Sequence, residues 1–359
     1  MLKEGFEMKK NIIRQEKVLS YLIEEYIHSV EPVSSKLISE KYIKDASPAT
    51  IRIDLNKLEK NNLIYQPHTS AGRVPTIKGY RKYIAQIMQE YGNSEYEKTD
   101  LLREIIVKNY RDTPLALHYI MQLLARETDQ LSFVAEPEVS YGYLDKLDVF
   151  KISSDKLLFV VSLDSGLDKT VILKCDHSIG EQQLKAIVRY VNDEFVGLRL
   201  YDIQNKYLDE VSEHVTEENT LLKLFLDELN NAITEISSYF IHFDGNISFL
   251  EQPEFDDKSS ILTFLGFIQR QDHLVRIMQK YDSKDSLNIL LGEDLGQPEL
   301  ANYSLIYAKY EIFGIPGFLG VLGPVRMDYR KNIPIIKEIA RIITKTTKKG
   351  MMVPQNDRK

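Results

Sequence analysis

The sequence is poor in cysteine and has no long apolar run, and both absences narrow the class of protein. Cys175 is the single cysteine among 359 residues, so the chain can form neither an internal disulfide nor a cage of several thiolates around a metal ion. No stretch reaches the roughly 18 consecutive apolar residues that a membrane-spanning helix needs. Residues 1–11 mix Lys with Glu and lack the apolar core of a secretory signal. We therefore expect a cytoplasmic protein without a membrane partner.

Catalytic and cofactor-binding patterns are also missing. Neither HExxH nor GxSxG occurs, and the seven histidines are scattered. The glycines at 314, 317, 320 and 323 have no Lys-Ser/Thr pair after them, so backbone turns and close strand packing explain them better than a phosphate-binding loop. Cys175 and His177 share a face at a predicted strand end, but no third metal ligand accompanies them. The sequence predicts no enzyme, no cofactor and no metal site. Arg326 and Tyr329, which follow these glycines, are expected to make a structural contact, but the sequence does not identify its partner.

Charge is divided unevenly along the chain. Residues 1–90 contain 15 Lys and Arg against 11 Asp and Glu, a net charge of +4, whereas the remaining residues contain 31 against 42, a net charge of −11. A basic head on an acidic body suggests that only the head meets a polyanion, because the body would repel it.

Three helices are predicted within the first sixty residues. Apolar residues at helical spacing between Arg14 and Val30 predict an amphipathic helix that Glu31-Pro32 ends. Ser34 or Ser35 can cap a short second helix that runs to Tyr42. Ser47-Pro48 then starts a third helix that reaches about Asn61, with Ser at the N-cap and Pro at the first helical position.

The third helix has an apolar face and a polar, basic face. Ile51, Leu55 and Leu58 should face inward, at spacings of four and three residues. The opposite face carries side chains suited to DNA: Thr50, Arg52, Ile53, Asn56, Lys57 and Lys60. Arg and Asn can read base edges, Thr and Ile methyl groups can touch a thymine methyl, and lysines further along the helix suit phosphates. The order of elements is that of a helix-turn-helix, whose second helix enters the major groove.

A β-hairpin and a fourth helix complete the head. Residues 63–65 predict a short strand, residues 66–76 predict a turn and a second strand, and Thr76 caps a helix from Ile77 to about Tyr91. Arg73 lies just past the hairpin tip, where it could reach a phosphate or a minor groove. A small protein-interaction module is the alternative interpretation of this order of elements. The basic face favours DNA, and the predicted contacts are Ser47, Thr50, Arg52, Ile53, Asn56, Lys57, His68, Thr69, Ser70, Arg73 and Arg81.

At this point a family resemblance becomes evident. The strings EPVSSKLISEKY, SPATIRIDLNKLEKNNLI and PHTSAGRVPTIKGYRKYI, with GVLGPVRMDY near the C-terminus, resemble the heat-inducible transcription repressor family HrcA. Weaker matches lie at Asn246-Ile247, at residues 252–257 and at residues 291–293. Two positions depart from the family pattern: Ser34 stands where the family commonly has Gly, and Ile53 where it has Asn. Because Ile53 lies on the predicted reading face, its departure puts an unaltered base preference in doubt.

The resemblance implies more than the residues do by themselves. It implies a repressor of chaperone operons that binds double-stranded DNA at an inverted-repeat operator as a homodimer, and that needs a GroE-type chaperonin for its active state. A sensor whose body binds a metabolite is the second hypothesis, and an enzyme with a DNA-binding head is the third.

The body alternates between helices and strands. Helices are expected at 101–110, 115–127, 181–195, 219–238 and 333–347, with a pair of helices over about 258–280, and strands at 147–152, 156–163, 170–175, 287–291, 303–312 and 317–325. The predicted fold class is a multidomain α+β protein with a winged helix-turn-helix over 1–91. The resemblance names the rest as a GAF-like domain over 99–190 and 255–347, interrupted by an inserted dimerisation domain over 191–254. Apolar residues of the insertion form either a dimer surface or its own core: Leu222, Leu224, Phe225, Leu229 and Ile233.

Overall fold

A computed structural model describes residues 2–69, 71–90, 99–108, 113–174, 179–207, 220–237, 240–245, 249–281 and 287–350. Its helices are α1 Leu2–Ser29, α2 Ser35–Lys41, α3 Pro48–Lys60, α4 Ile77–Glu90, α5 Thr99–Lys108, α6 Thr113–Thr128, α7 Glu181–Phe195, α8 Thr220–Ser237, α9 Lys258–Gln269, α10 Gln271–Lys280 and α11 Tyr329–Gly350. Its strands are β1 Ile64–Tyr65, β2 Val74–Pro75, β3 Leu131–Ala135, β4 Leu144–Ser153, β5 Lys156–Leu163, β6 Asp168–Lys174, β7 Ile241–Asp244, β8 Leu287–Leu291, β9 Tyr303–Ile312 and β10 Ile315–Pro324. The protein is therefore multidomain and mixed α+β, with a helical N-terminus and a sheet-rich remainder. None of the helices in these ranges is both long enough and apolar enough to cross a membrane.

The head, residues 2–90, contains the predicted three helices, hairpin and fourth helix. Its core is the inward stripe of α1, which packs on α3 and α4. Helix α1 begins well before the predicted Arg14 and ends at Ser29, where Val30 takes a positive φ of 58° ahead of Glu31-Pro32. Strands β1 and β2 pair antiparallel, with Ile64 opposite Pro75.

The body is built on a five-stranded antiparallel sheet in the order β7-β3-β10-β9-β8. Side chains alternate between its two faces, as the pleat requires. Along β10, Leu319 and Val321 join the core formed with α5, α6 and α11, whereas Phe318 and Leu322 join the core formed with α9 and α10. Helices thus cover both faces of the sheet. Strands β3 and β7 were not predicted from the sequence.

The glycines of β10 have the structural role predicted for them. A Cβ on Gly320 would lie 2.1 Å from the carbonyl oxygen of Ile306 on the neighbouring strand, so only glycine fits this approach. Gly314 lies in the β9–β10 turn with a φ of +85°, a conformation that favours glycine. The preference for turns and close strand packing over a phosphate loop is therefore confirmed.

A second, three-stranded antiparallel sheet, β4-β5-β6, carries its own core. Helices α7 and α8 cover one face of it, and Phe225, Leu229 and Ile233 of α8 are buried there. Because these three residues are buried within one chain, they are core residues and not part of a dimer surface. The Leu222 side chain packs at the edge of the same core.

The buried side chains of the body form separate cores, and the limits of these cores differ from the predicted domain boundaries. Residue 190, the predicted end of the first GAF-like segment, lies inside the continuous helix α7. Strand β7 falls within the range predicted for the insertion, 191–254, but it pairs with β3 of the five-stranded sheet. Apart from Ile315 of β10, this separate core runs from Val139 to Ile236, so β4 to β6 belong with the insertion. A sequence pattern cannot assign a strand to one of two sheets, because that depends on long-range pairing.

Helix α11 begins at Tyr329, earlier than the predicted Ile333. The carboxylate of Asp328 accepts a hydrogen bond from the backbone N–H of Lys331 at 3.0 Å and so caps the first turn. The helix packs on α4, α5, α6 and β9, and the apolar core of the head is continuous with that of this part of the body.

Candidate nucleic-acid interface

Helix α3 presents the predicted polar face to solvent. Arg52, Asn56 and Lys57 are exposed, and the Ile53 side chain is 57% exposed. Positions 52, 53, 56, 57 and 60 lie on one side of the helix because they recur every three or four residues. A 13-residue helix is about 20 Å long, which suits a major groove about 12 Å wide.

The start of α3 is fixed by its own cap. The Ser47 hydroxyl accepts a hydrogen bond from the Thr50 backbone N–H at 3.2 Å, and its oxygen lies 2.9 Å from the Thr50 hydroxyl oxygen. Pro48 occupies the first helical position, as predicted. The two hydroxyls, both predicted to contact DNA, are therefore also parts of the cap that aims the helix.

A buried ion pair holds the inner side of α3, and the sequence analysis missed it. Asp54 is fully buried and accepts hydrogen bonds from Arg14 Nε at 2.6 Å, Arg14 Nη2 at 3.3 Å and Gln15 Nε2 at 3.2 Å. The hydrogen bond to Asp54 raises the pKa of Arg14 above its usual value. The signal was an acidic residue next to the apolar stripe of Ile51 and Leu55, and the ion pair fixes α3 against α1.

The hairpin tip lies beside this face. His68 and Thr69 are exposed, whereas Ser70 lies outside the described residues. The Gln66 side chain crosses the tip and donates to the carbonyl oxygens of Thr69 at 2.9 Å and Ala71 at 2.8 Å. One side chain, that of Gln66, therefore bridges the two residues on either side of Ser70.

Two arginines predicted to contact DNA are bound within the protein. Arg73 is 13% exposed, and its Nη2 lies 2.9 Å from Glu59 Oε2 at the end of α3. Arg81 of α4 lies 2.7 Å from Asp294 of the body, across the boundary between head and body. In this structure each guanidinium is paired with a carboxylate, so neither is free to contact DNA unless that pair opens.

The predicted contact of Arg326 and Tyr329 now has partners. Arg326 binds Glu254 and also reaches the backbone carbonyl of Ile27 in α1 at 3.2 Å. The Tyr329 ring lies 6.1 Å from that of Tyr80 in α4. Both residues therefore join the head to the body.

Possible metal ligands are scattered in the part of the chain that the structure describes. There, no three His, Cys, Asp or Glu side chains are grouped so as to hold a metal ion. Cys175 and His177, considered as a ligand pair from the sequence, lie outside the described residues.

These features place the chain among multidomain α+β proteins with a basic, helical head. Residues 115–333 match the family described as HrcA protein C terminal domain. The chain is 30% identical over 336 residues to the heat-inducible transcription repressor HrcA of Natranaerobius thermophilus, covering 92% of this chain and 95% of that protein. It is 28% identical to the HrcA repressor of Pelotomaculum thermopropionicum, with 90% and 93% covered.

A solved structure described as that of a hypothetical protein matches with a TM-score of 0.58 at 24% identity, covering 93% of this chain and 98% of that one. The fold is shared with that structure. From the family match and the length of the aligned relatives, the chain belongs to the HrcA family of heat-inducible transcription repressors.

Proposed function

We propose that this chain represses transcription of heat-shock chaperone operons by binding double-stranded DNA at an inverted-repeat operator. The observation that carries the proposal is the outer face of α3, where Arg52, Ile53, Asn56 and Lys57 are exposed on a capped helix beside a hairpin. In this proposal residues 1–91 act as a winged helix-turn-helix: α3 enters the major groove, and His68, Thr69 and Ser70 of the hairpin tip contact the backbone.

The base contacts are proposed for the first half of α3. In a helix-turn-helix the N-terminal residues of the second helix meet base edges. Thr50, Arg52 and Ile53 lie there, Asn56 follows on the same face, and Lys57 is the next residue toward the end of the helix, where phosphate contacts are proposed. The acidic body, which carries most of the negative charge, would stay away from the DNA.

A two-fold operator calls for a two-fold protein, and the insertion offers a surface for it. On the outer face of the three-stranded sheet, Phe150 lies opposite Leu158, which lies opposite Ile172. Phe150 and Ile172 are 55% and 57% exposed, although helices cover the other face. Lys156 and Lys174 pair at one end of this face, and Asp168 lies at the other, where Lys146 is neutralised by Asp148. A second copy turned by 180° would bring opposite charges together, so we propose this face as the homodimer contact.

The dimer proposal has a direct test. Phe150→Ser with Ile172→Ser should convert a dimer to a monomer in light scattering and weaken operator binding. Leu262→Ser, which removes an apolar side chain that is 58% exposed on α9, is the matched control and should leave the mass unchanged. A dimer that survives the double substitution would reject this face.

The decisive experiment for the function is a gel-shift titration on a chaperone-operon inverted repeat and on a scrambled duplex, with and without a GroE-type chaperonin. We expect preferential binding to the inverted repeat that improves with chaperonin. Equal and weak binding to both duplexes in both conditions would contradict the proposal that this chain is a repressor.

A ligand-regulated sensor is the second candidate. A cavity of about 520 Å³ lies between the insertion and the five-stranded sheet, lined in part by Tyr141, Tyr143 and Arg199. Arg199 donates to the Tyr143 hydroxyl at 3.0 Å. A thermal-shift screen of metabolites would favour this candidate if one of them stabilised the protein and altered operator binding without chaperonin.

A further inference from the structure

Arg73 lies at the junction of three segments of the head. Its backbone N–H donates to the carbonyl of Val33 at 2.8 Å, and its carbonyl accepts from the Val33 N–H at 2.9 Å. A Cβ on the preceding Gly72 would lie 2.5 Å from the Val33 carbonyl group, so the chain approaches too closely for a side chain there. The backbone of Arg73 therefore fastens the hairpin to the connection between α1 and α2.

The Arg73 side chain fastens the same hairpin to α3. Its Nε donates to Glu59 Oε2 at 3.0 Å, and its Nη2 lies 2.9 Å from the same oxygen. Nη2 also donates to Asn56 Oδ1 at 3.4 Å. A guanidinium can serve two acceptors at once because its N–H groups form a planar fork, which an ammonium group lacks.

We propose that Arg73 is a positioning residue for base reading and not a phosphate contact. By holding Oδ1 of Asn56, Arg73 sets which side of that amide carries the Nδ2 donor. An amide fixed in this way offers its N–H groups to acceptors on base edges in the major groove, such as a purine N7. This inference rests on the proposed function, because it assumes that the outer face of α3 reads DNA.

Charge favours this role over a phosphate contact. To reach a phosphate, Arg73 would have to leave Glu59, whose side chain is 34% exposed at the end of the reading helix. The freed carboxylate would then face the polyanion without a counter-charge, which opposes binding. Kept in place, Arg73 neutralises Glu59 and keeps the end of α3 compatible with DNA.

The test uses the full chain, the inverted-repeat duplex and the scrambled duplex, each titrated at several salt concentrations. Arg73→Lys keeps the charge but loses the fork. We expect it to lower the preference for the operator by about tenfold, the order of one lost base contact, and to leave the salt slope unchanged. Lys57→Gln is the control for a true phosphate contact, and it should flatten the slope by about 0.9 and keep the preference. Arg73→Lys that keeps the preference would overturn the inference.

Glu59→Gln provides an independent variant that keeps a hydrogen-bond acceptor for Arg73. A positioning role predicts a reduced preference for the operator, because the guanidinium is held less firmly. A phosphate role predicts an undiminished preference with tighter binding to both duplexes, because Arg73 is released to the DNA backbone and does not position the Asn56 amide. That second result would overturn the inference.

A double-mutant cycle separates positioning from a general loss of structure. In an Asn56→Ala background, Arg73→Lys should have no further effect on operator preference, because the amide that it positions is gone. Additive effects of the two substitutions would contradict the proposal. If the unaltered chain binds both duplexes equally, the proposed function fails and this inference fails with it. If the unaltered chain discriminates and Arg73→Lys discriminates equally well, only this inference is overturned.

Discussion

Arg326 and Glu254 form a two-point ion pair: Nε and Nη2 of the arginine lie 2.6 and 2.8 Å from the two carboxylate oxygens. Both side chains are largely buried, at 13% and 19% exposed. The remaining nitrogen, Nη1, donates to the carbonyl of Ile27 in the last turn of α1. Arg326, which follows β10, thus connects the body with α1, the helix that packs on α3.

Replacing either member of this pair should destabilise the fold. We expect Glu254→Gln to lower the free energy of unfolding by about 2–3 kcal/mol, since it leaves a mostly buried guanidinium without its counter-charge. Urea unfolding at pH 7 measures it. Lys331→Gln breaks an exposed pair with Asp129 and should cost under about 1 kcal/mol. Equal costs for the two substitutions would show that burial does not set the strength of the Arg326 pair.

The two members of the Arg14–Asp54 ion pair, which fixes α3 against α1, should contribute unequally to the free energy of unfolding. Among the described side chains, Arg14→Gln leaves the fully buried Asp54 with the Gln15 amide and no cation, and it should cost about 3 kcal/mol or more. Asp54→Asn leaves Arg14, which is one quarter exposed and can be hydrated, and should cost less. Unfolding of the two variants side by side gives the comparison, and a larger cost for Asp54→Asn would contradict it.

Arg52 is the proposed base-reading cation, and Lys57 the proposed phosphate contact. Arg52→Ala should weaken operator binding by about 1–3 kcal/mol and reduce discrimination between bases. Lys57→Ala should instead weaken binding to all DNA alike and flatten the salt dependence by about one unit of slope. Unchanged binding of both duplexes by the Arg52 variant would remove that residue from the interface.

The pair of Arg81 and Asp294 offers a test of whether the body competes with DNA. Asp294→Asn releases the guanidinium and keeps an acceptor for the Leu291 N–H, which the carboxylate now binds at 2.9 Å. If Arg81, one of the predicted DNA contacts, contacts a phosphate, this variant should bind both duplexes more tightly and steepen the salt slope by about 0.9. Adding Arg81→Ala should cancel the gain. No gain from Asp294→Asn would leave Arg81 as a structural residue of the head–body contact.

Glu136 gives the fold a pH dependence at the root of the insertion. Burial opposes its ionisation, but hydrogen bonds from Lys169 and His242 outweigh burial and lower the pKa of Glu136 below its usual 4.5. Because the folded-state pKa is the lower one, the stabilisation is present above about pH 4.5 and is lost as the pH falls through the folded-state value. Glu136→Gln should therefore be less stable than the unaltered chain at pH 7, with a smaller difference at pH 3. Asp193→Asn, in an exposed pair with Arg189, should show no such convergence.

Sequence patterns predicted the head best, because each of its elements carries a local signal. Ser34, Ser47 and Thr76 each cap a helix through a backbone N–H three residues later, and such caps depend only on neighbouring residues. Strands β3 and β7 have no such signal. The apolar run Leu131–Ala135 has no alternation because it is buried in the middle of the sheet, and β7 has only four residues.

DNA contacts were hardest to predict for side chains that pair with a residue distant in sequence. The pattern of α3 determines which side chains face outward, so Arg52 and Lys57 were placed on an exposed face. It cannot reveal that Arg81 meets Asp294 or that Arg73 meets Glu59. Those contacts depend on how separate elements pack, and they decide whether a predicted cation is available to a phosphate.

The insertion leaves and rejoins the five-stranded sheet at Ala135 and Ile241, which are direct partners across β3 and β7. In the sheet it therefore occupies the position of a hairpin turn. Glu136, directly after β3, and His242 of β7 are joined by a 2.8 Å contact at its base. The entropy of closing such a loop rises only with the logarithm of its length. The length of the loop therefore adds little to the cost of pairing β3 with β7, so a whole folded unit can be carried between these strands without altering their register.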